Sequence, residues 1–222
     1  KDAVTIASIL EEKNTEDKFI KIRDEFKTNL YNSLNLAMKK SNIDYVPGCV
    51  ELGDFDATST AIALYPCNEY LNLPKPQINN TFDKYYDYFS KRKNGLITWD
   101  NYTPYEVRLI GALTLMNEKK KAHDLLDFFM KDQRPQGWNH WAEVVWSDPK
   151  TPKFIGDMPH TWVGSDYINS IRNMFVFEDE LNESLVIGLG IKEEWLNDTD
   201  VVIENMPTQY GKINIKMKKD GD

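Results

Sequence analysis

From residue 15 to about residue 40 the apolar positions Phe19, Ile22, Phe26, Leu30, Leu34, Ala37 and Met38 recur every three or four residues. That is the period of an amphipathic helix, and one long helix is expected there. The period then breaks at VPGCVELGDFD, where a proline and two glycines predict a loop, with Asp56 placed to cap a short helix over residues 59–64. The segment LNLPKPQINN reads as a surface connection. FDKYYDYFSKRK, opening at Asn80 or Thr81, reads as a helix stopped by Asn94-Gly95.

Thr103-Pro104-Tyr105-Glu106 has the form of a capping box with proline at the first helical position, and it opens the apolar-periodic YEVRLIGALTLM. Residues 118–131 follow almost at once, with Ala122, Leu125, Leu126, Phe128 and Phe129 on one side. Two helices joined so tightly must fold back on each other as an antiparallel hairpin. A long loop over residues 133–160 and a helix over residues 161–175 complete the helical part.

Beyond Phe175 the pattern changes to short apolar or alternating runs, LVIGLG, VVIE and KINIKM, separated by turn residues. These predict strands, and the alternation of the last two suits an antiparallel sheet with one face in solvent. The expected fold is mainly α, with helical hairpins over residues 1–178 and a small antiparallel β segment over residues 179–222.

Composition narrows the partners. The formal charge is -8, and the 27 Lys and Arg are scattered, so no basic stripe marks a phosphate backbone and nucleic acid is not an expected partner. No run approaches the roughly 18 apolar residues of a membrane span, and the first residues lack the apolar core of a signal peptide. The sequence is read as a soluble piece, beginning at Lys1, with something missing upstream. Cys49 and Cys67 could form at most one bridge, and no DxDxDG loop, HExxH helix or Cys/His cluster predicts a metal or other cofactor.

Candidate chemistry gathers in three places. The loop QGWNHWAEVVWSDP holds Trp138, His140, Trp141, Glu143, Trp146 and Asp148. Aromatic faces stack on sugar C–H faces while carboxylates bind hydroxyls or move protons, so this loop suggests a carbohydrate cleft; the alternative is that its tryptophans cap the core. PKFIGDMPHTWVGSDY sets Asp157, His160, Trp162 and Asp166 around a helix start, where Asp157 or Thr161 as a simple cap and His160 as a structural histidine is the plainer reading. ELGDFDATST offers Glu51, Asp54 and Asp56, of which Asp54 has no evident structural role. No GxSxG elbow is present. The chemistry left is that of carboxylates, as in glycoside hydrolysis by an acid and a base, and Glu143 is the candidate for one of the two.

Taken in order, LGDFDATST, TPYEVRLIGAL, RPQGWNHWAEVVW, IGDMPHTWVGSDYINSIRNMF and LVIGLGIKEEWL resemble the C-terminal half of a six-hairpin glycosidase. The likeness is to the α-L-rhamnosidase-like branch and related bacterial hydrolases, which join an (α/α)6 toroid to a β-sandwich. It implies a glycoside hydrolase, inverting, with Glu143 as general base and no cofactor. It further implies Asp54, Trp138, Trp141, Trp146, Asp157, His160 and Trp162 as sugar-binding residues. Phe55 stands where the branch has tryptophan, residues 141–146 are spaced differently from W-E-x-W, and Thr-Trp follows His160 in place of an aromatic.

No segment before Val46 resembles the family's acid-bearing motif, and about six helices are counted where the toroid has about twelve. The resemblance therefore implies half a barrel, catalytically weak or dead alone, completed by the missing N-terminal half or self-associating through its exposed face. It also implies a periplasmic or extracellular location. A carbohydrate-binding module without catalysis is the alternative. His123, Asp124 and Asp127, with the lysine run at 119–121, are read as a solvated helix face.

Overall fold

The structure is a computed structural model and describes residues 1–148, 150–151 and 158–219. Helix α1 spans Asp2–Ile9 and the long α2 spans Lys13–Ser41. Asn42 closes α2 in a left-handed conformation, and the Ile43 N–H reaches back to the Met38 carbonyl at 3.1 Å. The 46–56 loop follows as expected, and Asp56 accepts from the Ser59 backbone N–H at 2.9 Å to cap α3, Ala57–Leu64. Helix α4, Gln77–Lys93, begins three residues before the sequence signal at Asn80, and Gly95 at φ +66° ends the turn after it.

The described chain is mainly α, with three small two-stranded antiparallel sheets. β1, Asn101–Tyr102, pairs with β2, Val145–Trp146; β3, Val176–Asp179, pairs with β4, Ser184–Ile187; β5, Val201–Thr208, pairs with β6, Gly211–Met217. Among the described residues no helix is long and apolar enough to cross a membrane.

The chain divides into two compact units, residues 1–60 with 70–84, and residues 61–69 with 85–222. In the first unit Leu34, Ala37, Met38, Val46, Leu73, Ile78 and Phe82 are buried. Thr81 there donates to the Gln77 carbonyl and accepts from the Val46 N–H at 2.9 Å, and Lys84 lies over the rings of Tyr45 and Phe55.

The second unit is built on α5, Arg108–Leu115, and α6, Lys119–Lys131, which form the expected hairpin, with α7, Thr161–Phe175, packed on α5. Gly111 lets α5 and α7 approach: a Cβ there would stand 3.1 Å from Ser170 Oγ, which donates to the Val107 carbonyl at 2.9 Å. Phe89, Phe128 and Phe129 fill the space between α4 and α6 through ring contacts.

Four expectations are corrected. Thr103-Pro104-Tyr105-Glu106 opens not an α-helix but a 3-10 turn, Pro104–Val107, and Glu106 does not complete a capping box, because its carboxylate turns inward to Arg92 and Tyr85. His123 is not on a solvated face. It is 4% exposed, its Nε2 lies 2.7 Å from the Gly190 carbonyl oxygen, and its ring meets Trp195 edge-on. Asp124 on the same helix holds Lys93 at 2.8 Å and the Tyr86 hydroxyl at 2.7 Å. Finally, β3 follows α7 without an intervening loop and starts before residue 179, where the β segment was expected.

Candidate functional site

The residues that gather belong to the second unit, at the start of α7. His160 is the N-cap residue of α7, with extended backbone and a carbonyl that accepts the first helical hydrogen bond from Gly164 at 3.2 Å. Its side chain does not cap the helix. Its Nε2 stands 2.7 Å from the Tyr105 hydroxyl, with the rings edge to face at 5.3 Å. Tyr105 is delivered by the 3-10 turn that Pro104 initiates, so a turn and a helix start 55 residues apart meet through one hydrogen bond.

Trp162, in the first turn of α7, is 70% exposed and lies against both rings, 6.4 Å from Tyr105 and 6.3 Å from His160 between centroids. Arg108 lies over the Tyr105 ring, 4.8 Å from its centroid, and is held by Asp166 of α7 at 3.0 and 2.5 Å. The floor is thus aromatic, with a paired cation and anion at its edge. An apolar ring face rimmed by polar groups suits a ligand with both C–H and hydroxyl surfaces.

The tryptophan loop is fastened to the same place at two points. The His160 N–H donates to the Trp141 carbonyl at 3.2 Å, and Thr103 Oγ1 donates to the Glu143 carbonyl at 2.9 Å. Glu143, half-buried, is therefore anchored by its backbone beside the turn that carries Tyr105. His140 accepts from the Trp141 N–H at 2.9 Å, and its ring passes so close to Gly164 that a Cβ there would stand 3.3 Å from Nε2.

Not every tryptophan faces outward. Trp141 is 4% exposed, its indole N–H donates to the Phe129 carbonyl at 3.0 Å, and its ring packs on Tyr167 at 4.9 Å. A ring so enclosed offers no face to a sugar, which corrects its assignment as a platform: it anchors the loop to α6. Trp138 is 61% exposed at the loop tip. Trp146, half-buried in β2, lines a cleft of about 550 Å³ with Asp132, Arg134, Gln136 and Asp148.

Asp54 belongs to the first unit, where its Oδ1 accepts from the Cys49 N–H at 2.8 Å and closes the 48–54 loop. This is a local structural role that the sequence did not suggest. Asp157 lies outside the described residues. Among the described residues no group of three His, Cys, Asp or Glu could hold a metal ion. Tyr105, Arg108 and Asp166 complete the site; the first two carry no sequence signal, because their partners lie more than 50 residues away.

A polar chain, buried at Arg92 and Tyr102 and half-buried at Asp132 and Arg134, runs to the strand that carries Trp146. Arg92 lies over the Tyr102 ring at 4.4 Å, the Tyr102 hydroxyl donates to Asp132, Asp132 accepts from Arg134 at 2.9 Å, and Arg134 donates to the Trp146 carbonyl at 2.8 Å. Burial, reinforced by the Asp132 charge, pushes the Tyr102 hydroxyl well above its ordinary range, so it stays a donor. Comparison with protein-family models, with curated proteins and with solved structures finds no match to this chain.

Proposed function

We propose that this chain is a carbohydrate-active protein, part of a glycoside hydrolase whose sugar site is the aromatic floor at the start of α7. The observation that carries the reading is the exposed Trp162 ring set against a hydrogen-bonded Tyr105 and His160, with the Glu143 loop tied to the same two elements. Trp162 is the platform on which a sugar ring stacks, Tyr105 and the Arg108–Asp166 pair meet its hydroxyls, and Glu143 is the general base that activates water. In an inverting reaction the acid lies across a gap of roughly 6.5 to 9.5 Å from Glu143, leaving room for that water.

On this reading the α5–α6 hairpin is one of the repeating pairs of an (α/α)6 toroid. The hairpins that complete the ring and supply the acid come from sequence outside the chain, and the protein works in the periplasm or outside the cell. The enclosure of Trp141 moves the expected stacking from the middle of the loop to Trp162.

Calorimetric titration with a panel of mono- and oligosaccharides tests the proposal. Binding that Trp162→Ala removes and Glu143→Gln preserves is the expected result, because a base acts in turnover and not in ground-state affinity. Absence of binding to every sugar in the panel overturns it. Equal loss of affinity with Glu143→Gln points to the alternative, a binding module in which Glu143 is a ligand.

A further inference from the structure

The cleft beside Trp146 lies within the second unit, and its volume of about 550 Å³ is that of a small-molecule site. Pro135, Ala142, Val144 and Trp146 give it apolar walls. Arg134 is held in the wall by three hydrogen bonds, from Nε at 3.2 Å and Nη2 at 2.9 Å to Asp132, and from Nη1 at 2.8 Å to the Trp146 carbonyl. These take three of the five N–H groups of a guanidinium, and two remain for the oxygens of a ligand. Asp132 is fixed in turn by the Tyr102 hydroxyl. The cleft thus sets a tryptophan beside an Arg–Asp pair braced by a tyrosine. Trp162, Arg108, Asp166 and Tyr105 bring the same four residue types together at the start of α7.

We propose that the cleft is a second sugar subsite, and that the ligand of this chain is a neutral oligosaccharide whose rings occupy both the floor at Trp162 and the cleft at Trp146. The inference rests on the sugar reading of that floor. Charge and shape select the occupant. Among the charged residues that line the cleft, Asp132 and Asp148 outnumber Arg134, and at the floor Asp166 offsets Arg108, so neither site favours an anionic ring such as a uronate. A neutral sugar uses what is present. Its C–H face lies on Trp146, one hydroxyl oxygen accepts from Arg134, and another hydroxyl donates to Asp148 or Gln136 on the exposed rim.

The two sites share one scaffold. Tyr102, which braces the cleft, and Tyr105, which belongs to the floor, are three residues apart, so their Cα atoms lie within about 11 Å of each other. The loop that lines the cleft with Ala142 and Val144 is tied to the floor through the Trp141 carbonyl, which accepts from the His160 N–H at 3.2 Å. Glu143 falls between those two cleft residues, and its carbonyl is bound by Thr103, which falls between the two tyrosines. A few linked sugar rings bridge a distance of that order.

Calorimetric titration of the full chain tests the proposal, comparing glucose, galactose, mannose, xylose and rhamnose with di-, tri- and tetrasaccharides that contain them, and with oligogalacturonides. The expected result is a neutral oligosaccharide that binds about tenfold or more tighter than its monosaccharide, because the second ring binds at high effective concentration. Trp146→Leu and Asp148→Ala each lower the oligosaccharide affinity towards that of the monosaccharide, and Trp162→Ala abolishes the binding of both. Asp148 is exposed, so Asp148→Ala keeps the test decisive if Trp146→Leu disturbs β2. Equal affinity for monosaccharide and oligosaccharide, lost with Trp162→Ala, overturns the second subsite and leaves the reading of the floor intact. A gain that both cleft variants leave untouched overturns it too, as does tighter binding of oligogalacturonides than of every neutral oligosaccharide. Absence of binding to every sugar in the series overturns the reading of the floor, and this inference falls with it.

Discussion

Arg92 and Glu106 form a buried two-pronged ion pair, Nη1 to Oε1 at 2.9 Å and Nη2 to Oε2 at 2.6 Å, with both side chains almost wholly removed from water. The Tyr85 hydroxyl donates to the same carboxylate at 2.5 Å. Burial alone would lower the pKa of the guanidinium, but the hydrogen bonds and charge of Glu106 outweigh it and raise the value. Burial pushes Tyr85 up, and the Glu106 carboxylate adds to the effect, so the phenol stays protonated and donates. Three elements, α4, the 3-10 turn and β1 through the Tyr102 ring, meet at this pair.

Removing one partner leaves the other charged and unsolvated. Glu106→Gln or Arg92→Met alone is expected to destabilise the fold by about 3–5 kcal/mol, whereas Arg92→Met/Glu106→Leu together loses much less. Urea denaturation followed by tryptophan fluorescence measures both. A double variant no better than the worse single one would show that the pair contributes more than charge compensation.

The same pair shows where local sequence reading stops. The motif Thr-Pro-Tyr-Glu fits a capping box locally, and Thr103 does accept from the Tyr105 N–H at 3.4 Å. What the four residues cannot reveal is that Arg92, 14 positions earlier, offers Glu106 a stronger partner than a backbone N–H. Helices α2 and α6 were legible because their apolar residues recur at the helical period, and α7 because it follows a long loop. The strand β3 was not, since VFED is short and follows α7 with no turn residue between them. In the site, Trp162 and His160 were legible as residue types beside a helix start, while Tyr105 and Arg108 became visible only when α5 packed on α7.

His123 makes stability depend on pH. Burial holds its pKa below the ordinary 6.5, opposed by the Gly190 carbonyl and Asp127 and assisted by Lys192 and Lys119. Its Nε2 meets Gly190, and among the described residues its buried Nδ1 has no hydrogen-bond partner, so none of them accepts a second proton. The unfolded chain takes up that proton as pH falls through about 6.5, while the folded chain resists until its own lower pKa. Stability is therefore expected to drop with falling pH in that window and to level off below the folded pKa. Thermal melts between pH 7.5 and 5 should show the fall in the wild type and a flatter profile in His123→Phe, which keeps the ring against Trp195. Parallel profiles in the two proteins would assign the acid sensitivity elsewhere.

Asp56 gives a second, smaller handle on stability. It accepts from the Ser59 N–H at 2.9 Å and Ser59 Oγ at 2.5 Å, and these bonds outweigh partial burial to lower its carboxyl pKa. Asp56→Ala is expected to cost about 1 kcal/mol, and Asp56→Asn less, since asparagine also caps. Because the folded pKa is depressed, the contribution is present at neutral pH and lost as pH falls through that depressed value. Chemical denaturation should find a smaller Asp56→Ala penalty at pH 3, below the ordinary carboxyl value, than at pH 7.

Trp141 and Trp162 separate structure from recognition. Trp141 is enclosed between Phe129 and Tyr167 and donates its indole N–H inward. Trp141→Ala deletes a buried ring and a hydrogen bond together, and a loss of about 3–5 kcal/mol is expected. Trp162 is exposed on α7, and its ring lies against those of Tyr105 and His160. Its removal to alanine is expected to change stability by no more than about 0.5 kcal/mol, because exposed positions away from special contacts tolerate substitution. If Trp162 serves as a stacking platform, Trp162→Ala abolishes sugar binding in a fully folded protein. Trp141→Ala, by contrast, weakens binding only in proportion to the fraction unfolded. Melting temperatures and titrations on the same preparations decide the matter: a large stability loss with Trp162→Ala would mean that this exposed ring supports the fold, and the platform assignment would fall.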